Sequence, residues 1–258
     1  MSKLPDTHKF IDLSDYGRPI ARIIANSLKD TSITPIHVTI WFVISGLISI
    51  YCILFDHLVL AAFFLILKSI LDAADGELAR LKNTPSYTGR YLDSVSDIIL
   101  NFFIFMAIWY TTDDHIIYTF LAFIGLQLQG TLYNYYYVIL RNNLNGDKTS
   151  RVFEHNTPRA LEGEKQKNVD ILFAMYKIFY GVFDKTIYKL DSNAYKSKIF
   201  PKIFMSIISI YGLGFQLLII SIMLVLGYKD YINIFFIAYT MLIAVFIGMR
   251  KSLSRHRS

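Results

Sequence analysis

Residues 71–97 read LDAADGELARLKNTPSYTGRYLDSVSD, and hydrophobic sequence flanks them on both sides. Asp72 and Asp75 are three apart, so a helix carries them on one face. Asp93 and Asp97 are four apart and share a face on the next helix. The link 82–89 is polar and holds Asn83, Pro85 and Gly89 as helix breakers. Two helices joined so briefly are expected to be antiparallel neighbours, with both acidic pairs pointing into one gap.

Four carboxylates in one gap repel each other, and at membrane depth each costs about 2.5–3.5 kcal/mol. A cation must offset that cost. Oxygen ligands without Cys or His favour Mg²⁺, Mn²⁺ or Ca²⁺ over zinc. A pair of such ions about 4 Å apart is a common clamp for phosphate oxygens. The candidate metal ligands are therefore Asp72, Asp75, Asp93 and Asp97. Gly76 and Ala79 lie on the side of Asp72 and Asp75 and leave room for a ligand against the helix backbone. Arg80 ends that face, where a guanidinium can grip a phosphate through two hydrogen bonds. Lys68, one turn before Asp72, reads either as a counter-charge to the cluster or as a lysine reaching toward water.

The rest of the chain reads as membrane protein. Of its 258 residues 54% are hydrophobic, too many for an ordinary soluble domain, and mean hydropathy is +0.41. The apolar residues come in runs long enough to span a bilayer. Six spans are expected, roughly at 37–55, 58–81, 91–112, 116–140, 203–227 and 231–249, forming one all-α membrane domain over 1–258. Residues 1–36 form a polar and interfacial segment. Within it Ile20, Ile23, Ile24 and Leu28 oppose Arg18, Arg22, Asn26 and Lys29, which predicts an amphipathic helix in the headgroup plane. Thr34 and Pro35 suit the start of the first span. Residues 141–202 form a long polar insertion. Leu172, Met175, Tyr176, Phe179, Phe183, Ile187 and Leu190 recur there at helical spacing, with Asp170, Lys177, Asp184, Lys185 and Lys189 opposite. That pattern predicts a second interfacial helix, either a lid or a surface insertion. Gln127, Gln129 and Asn134 in the fourth span read either as facing an acceptor alcohol or, the favoured reading, as amides paired between helices. No apolar leader precedes the first span, so no cleaved signal peptide is expected. The single cysteine, Cys52, sits inside a span and forms no internal disulfide.

The motif Asp72-x2-Asp75-Gly76-x2-Ala79-Arg80-x8-Gly89-x3-Asp93-x3-Asp97 resembles the signature of the CDP-alcohol phosphotransferases, with every position filled. The resemblance implies a transferase of phospholipid biosynthesis with one or two Mg²⁺ or Mn²⁺ ions on the aspartates. It implies that Asp97 is the general base, and that Gly76, Ala79, Arg80 and Gly89 lie along the CDP donor. Ser86, His37 and Thr39 would help surround that donor. The partners implied are a CDP-linked donor lipid, a small alcohol acceptor, membrane lipids and a second copy in a homodimer. One branch of the family gives the phosphatidyl group of CDP-diacylglycerol to a small alcohol. The other gives the head group of a soluble CDP-alcohol to diacylglycerol. The first is the expectation here.

Basic residues are distributed unevenly. Five Lys and Arg precede the first span, three (Arg80, Lys82, Arg90) surround the second link, twelve lie in 141–202, and four follow the sixth span. The turns after the first and third spans have none. The positive-inside rule then places both termini and the aspartates on the cytoplasmic side. The net charge of +6 is thus a membrane asymmetry, and no nucleic-acid-binding module is present. A cation transporter is the alternative of another class. It would spread its carboxylates along a pathway and leave Gly76, Ala79, Arg80 and Gly89 unexplained.

Overall fold

The computed structural model describes residues 4–144, 154, 156–197 and 200–255. Parts of the insertion (145–153, 155, 198–199) and the end of the basic tail (256–258) lie outside the described residues. Among the described residues every regular element is helical.

The N-terminal segment forms a helix, α1 (Arg18–Leu28), where the pattern places one, but its packing stripe differs from the expected one. Ala21 and Ala25 are fully buried, whereas Ile20 and Ile23 are 51% and 70% exposed. The two methyl side chains let α1 approach α3 (Leu58–Leu81) closely. Ile24 and Leu28 pack at the margin of the same cluster, against Ile70, Ala74 and Leu78. The helix α2 (Pro35–Leu54) starts with a capping box, in which the Thr34 N–H donates to His37 Nδ1 at 3.0 Å. Between α2 and α3, Asp56 takes a left-handed conformation (φ 60°) and is tied to Lys229 at 2.6 Å. Asn83 does the same after α3 (φ 50°), a conformation its short polar side chain tolerates.

The next two helices are α4 (Tyr87–Tyr110) and α5 (Ile116–Asn143). Helix α4 begins four residues earlier than expected. Ser86 accepts from the Gly89 N–H at 2.8 Å, so Gly89 lies in the first turn instead of in the link. A Cβ on Gly89 would sit 3.2 Å from Ser86 Oγ, crowding the cap. The two aspartate-bearing helices face each other across a gap. Helix α2 packs closely against both α3 and α4, and these two meet mainly across a cavity. Clustered carboxylates repel and need room for a ligand between them, which keeps the two backbones apart.

The insertion forms α6 (Gln166–Leu190), which lies along α4 and α5. Val169 and Phe173 bury against Tyr91. The expected polar face is not all polar to the outside. Asp184 shares a stripe with Tyr176 and Tyr180, and all three line the cavity. Ile178 and Val182 are instead 73% and 66% exposed.

Helices α7 (Lys202–Ile208) and α8 (Leu213–Val225) meet at Gly212 with a bend of 50°. The N-terminal segment fills that bend. The Leu13 N–H donates to Ser209 Oγ at 2.9 Å, and Tyr133 donates to Asp12 at 2.5 Å. A Cβ on Gly214 would lie 2.0 Å from the Ser14 carbonyl oxygen, so only glycine fits there. The chain closes with α9 (Ile232–Thr240) and α10 (Leu242–Arg255).

Among the described residues four helical stretches are long and apolar enough to cross a membrane: α2, α4, α5 and Lys229–Leu253. The bent α7–α8 pair makes a fifth if counted as one span. Helix α3 has 24 residues but carries Lys68, Asp72 and Asp75 in its apolar stretch, so composition alone leaves it out of that set.

Candidate active site

The cavity between α3 and α4 has a volume of about 1200 Å³. Its walls come from the N-terminal segment, α2 to α6 and the start of α8. Most of the residues singled out in the sequence line it: Asp72, Asp75, Gly76, Ala79, Arg80, Ser86, Gly89, Asp93, Asp97 and Thr39.

The carboxylates divide into three and one. Oxygens of Asp72, Asp75 and Asp93 lie within 4.8 Å of one another, close enough to share a cation. Asp93 Oδ1 is buried with no hydrogen-bond partner among the described residues. An orphaned buried carboxylate oxygen beside two other carboxylates suits a hard divalent ion such as Mg²⁺ or Mn²⁺. Asp97 stands outside this group. Its Oδ1 receives a 2.5 Å hydrogen bond from the Lys68 ammonium, and Lys68 is fully buried. Of the two readings for Lys68, the counter-charge is the one found.

Thr39 holds a carboxylate. Its hydroxyl donates to Asp75 Oδ2 at 2.6 Å, bridging α2 to α3. His37 does not line the cavity. Its ring completes the cap of α2, with Nδ1 2.8 Å from Thr34 Oγ1. Arg80 lines the cavity and lies 3.4 Å from Glu77. That glutamate is also reached by Arg18 at 2.6 Å from α1. Burial works against the charge of Arg18, but Asp15 and Glu77 outweigh it and hold its pKa above the ordinary value.

Ser86 is both cap and anchor. Its hydroxyl donates to Glu164 Oε1 at 2.8 Å, and the Thr88 N–H donates to the same oxygen at 2.7 Å. Burial pushes the Glu164 carboxyl up, but hydrogen bonds from Thr88, Leu161 and Ser86 outweigh it and hold it below the usual range. Glu154 likewise engages Arg90 and accepts from Tyr91 at 2.7 Å. The Tyr180 hydroxyl donates to the Ser94 carbonyl at 3.0 Å. Burial drives the Asp184 carboxyl up to about 6, with Glu154 adding to the rise and Arg90 opposing it. The insertion is therefore a wall of the site, neither detached from it nor merely decorative.

The three amides of the fourth span separate. Gln129 pairs between helices, donating to Thr240 Oγ1 at 2.9 Å and to the Phe236 carbonyl at 3.2 Å. Gln127 and Asn134 line the cavity. Sequence reading missed Asp12, Ser14, Asp15 and Arg18 on one wall and Glu164 on another. These residues lie in polar segments more than fifty residues from the motif on either side, so no spacing tied them to it.

Comparison with curated proteins finds no match. The family model described as CDP-alcohol phosphatidyltransferase matches residues 31–188, which is 158 of 258 residues. The match takes in the cap of α2, all four aspartates and nearly all of α6. Such a match, laid over a cavity ringed by those aspartates, shows that the chain belongs to the CDP-alcohol phosphatidyltransferase family, whose members transfer phosphate-containing groups in phospholipid synthesis.

Proposed function

We propose that this protein transfers the phosphatidyl group of CDP-diacylglycerol to a small alcohol and releases CMP. The observation that carries the reading is the split of the aspartates, three grouped as for a cation and one apart in the same cavity. Asp72, Asp75 and Asp93 would hold one or two Mg²⁺ or Mn²⁺ ions, with Asp97 at the edge of that set. Such ions draw charge from a pyrophosphate and stabilise the charge developing on the leaving group. Gly76 and Ala79 leave the α3 backbone open to the donor. Arg80, at the end of the same face, suits a donor phosphate. Ser86 and Gly89 border the donor at the start of α4. Asp97 accepts the proton of the incoming hydroxyl, whose oxygen attacks the donor's far phosphorus.

In this reading α3 is a sixth span. At about 1.5 Å per residue its length suffices to cross the bilayer, and the pairing of Lys68 with Asp97 lowers the cost of its charges. Both termini and the cavity mouth then face the cytoplasm. Helices α1 and α6 lie in the interface, with Ile20, Ile23, Ile178 and Val182 toward lipid. By analogy with the family the working unit is a homodimer.

The test is CMP release by the detergent-purified protein, given CDP-diacylglycerol, Mn²⁺ or Mg²⁺ and a panel of alcohols. Release with one alcohol that vanishes in Asp97→Asn supports the reading and names the acceptor. Release only with CDP-choline or CDP-ethanolamine plus diacylglycerol moves the assignment to the other branch. Silence with every donor refutes it.

A further inference from the structure

Lys68 is the eleventh of 24 residues in α3, and Asp97 the eleventh of 24 in α4. Counted from the link between the two helices, Asp97 lies about 15 Å into α4 and Lys68 about 20 Å into α3, deeper than the three grouped aspartates. Burying an ammonium there costs several kcal/mol unless it is paired. The nearest partner in sequence is Asp72, four residues on along the same helix face. The hydrogen bond goes instead to Asp97 on the other helix, at 2.5 Å. The Phe42 ring of α2 lies 5.2 Å from the same ammonium and adds a cation–π contact. Three helices thus fix where the Lys68 charge sits. Asp97 Oδ2 takes part in no hydrogen bond among the described residues, and the side chain stays 11% exposed on the cavity.

We propose that Lys68 is a positioning residue for the transfer, an inference that rests on the transferase reading above. Its ammonium holds Asp97 by Oδ1 outside the ligand set of Asp72, Asp75 and Asp93, and keeps Oδ2 for the acceptor. In the step so arranged, the acceptor hydroxyl gives its proton to Asp97 Oδ2. Its oxygen bonds to the donor phosphorus. The bond from that phosphorus to the CMP oxygen breaks, and CMP leaves with the electron pair. Without Lys68 the Asp97 carboxylate is free to turn toward the cation site, where it becomes a fourth ligand and is lost as a base.

The experiment compares wild type, Lys68→Met, Asp97→Asn and the double variant, all full-length in detergent. Two readouts are taken: steady-state CMP release, and Mn²⁺ binding followed by electron paramagnetic resonance without substrate. Lys68→Met should lower kcat about 100-fold, with the donor KM within about twofold of wild type. It should tighten Mn²⁺ binding about tenfold. In the Asp97→Asn background the same change should alter neither quantity. Unchanged kcat in Lys68→Met overturns the proposal, and so does weaker Mn²⁺ binding. Equal tightening in the Asp97→Asn background also overturns it, because the effect is then the lost charge alone. If Lys68→Met does not fold, the double variant against Asp97→Asn carries the comparison, since it leaves no buried charge unpaired. A wild type that releases no CMP refutes the transferase reading, while the Mn²⁺ comparison still decides the role of Lys68.

Discussion

The Ser86 hydroxyl donates a 2.8 Å hydrogen bond to the Glu164 carboxylate, 78 residues away in the chain. This one contact joins the insertion to the cap of α4, two turns before Asp93. Because the folded Glu164 sits below its ordinary pKa, its contribution is present above the unfolded value. It is lost as pH falls through the lower folded value. Hydrogen exchange at the Thr88 and Leu161 amides, corrected for intrinsic rate, should speed up over that acidic window in wild type. In Glu164→Gln it should already be fast at neutral pH. Equal protection in both proteins would contradict this assignment.

Asp184 carries the opposite sign. Burial raises its carboxyl to about 6, so the folded state binds a proton more tightly than the unfolded chain. The resulting penalty is absent below the unfolded pKa, grows through the window up to about 6, and is fully present above it. Asp184→Asn should therefore raise Tm at pH 8, and the gain should shrink as pH falls below 6. Thermal melts of the two proteins at pH 5 and 8 make the comparison.

The hydrogen bond from Thr39 to Asp75 orients one member of the three-carboxylate group. Replacing it with the isosteric valine removes that donor and leaves the volume unchanged. Mn²⁺ affinity should fall about tenfold, the usual scale for losing a group that orients a metal ligand. A Mn²⁺ titration of Thr39→Val reads this directly.

Outside the cavity lining, Arg250 Nε donates to Asp191 Oδ2 at 2.7 Å, and Tyr136 donates to the same oxygen at 2.7 Å. All three side chains are buried. Removing one charge strands the other, so Arg250→Met should cost about 3–5 kcal/mol. The double variant Asp191→Asn/Arg250→Met should cost clearly less. Urea or thermal unfolding in detergent separates the two, and equal losses would show that the pair is not the reason.

The motif was readable because helix geometry turns spacing into direction. Asp72 with Asp75, and Asp93 with Asp97, had to share faces, and they line one cavity. The helices over 18–28 and 166–190 were readable for the same reason, although periodicity did not say which stripe packs inward. In α1 the small Ala21 and Ala25 won over the larger Ile20 and Ile23, because helix approach depends on side-chain size as well as on polarity. Asp184 was expected outside, yet it lines the cavity, since the partner of a face is set by the neighbouring helices.

By itself, then, the amino-acid sequence determined the all-helical class, the apolar runs, the family and the four aspartates, because each depends on residues near one another in the chain. Tertiary structure alone decided that Asp97 pairs with Lys68, that Thr39 holds Asp75, that Glu164 anchors the insertion and that the N-terminal segment fills the bend at Gly212. These contacts join residues 29 to 196 positions apart. Spacing along a helix fixes direction only within that helix. Which side chains meet across a cavity depends on how several helices pack at once, and their relative positions leave no periodic trace in the chain.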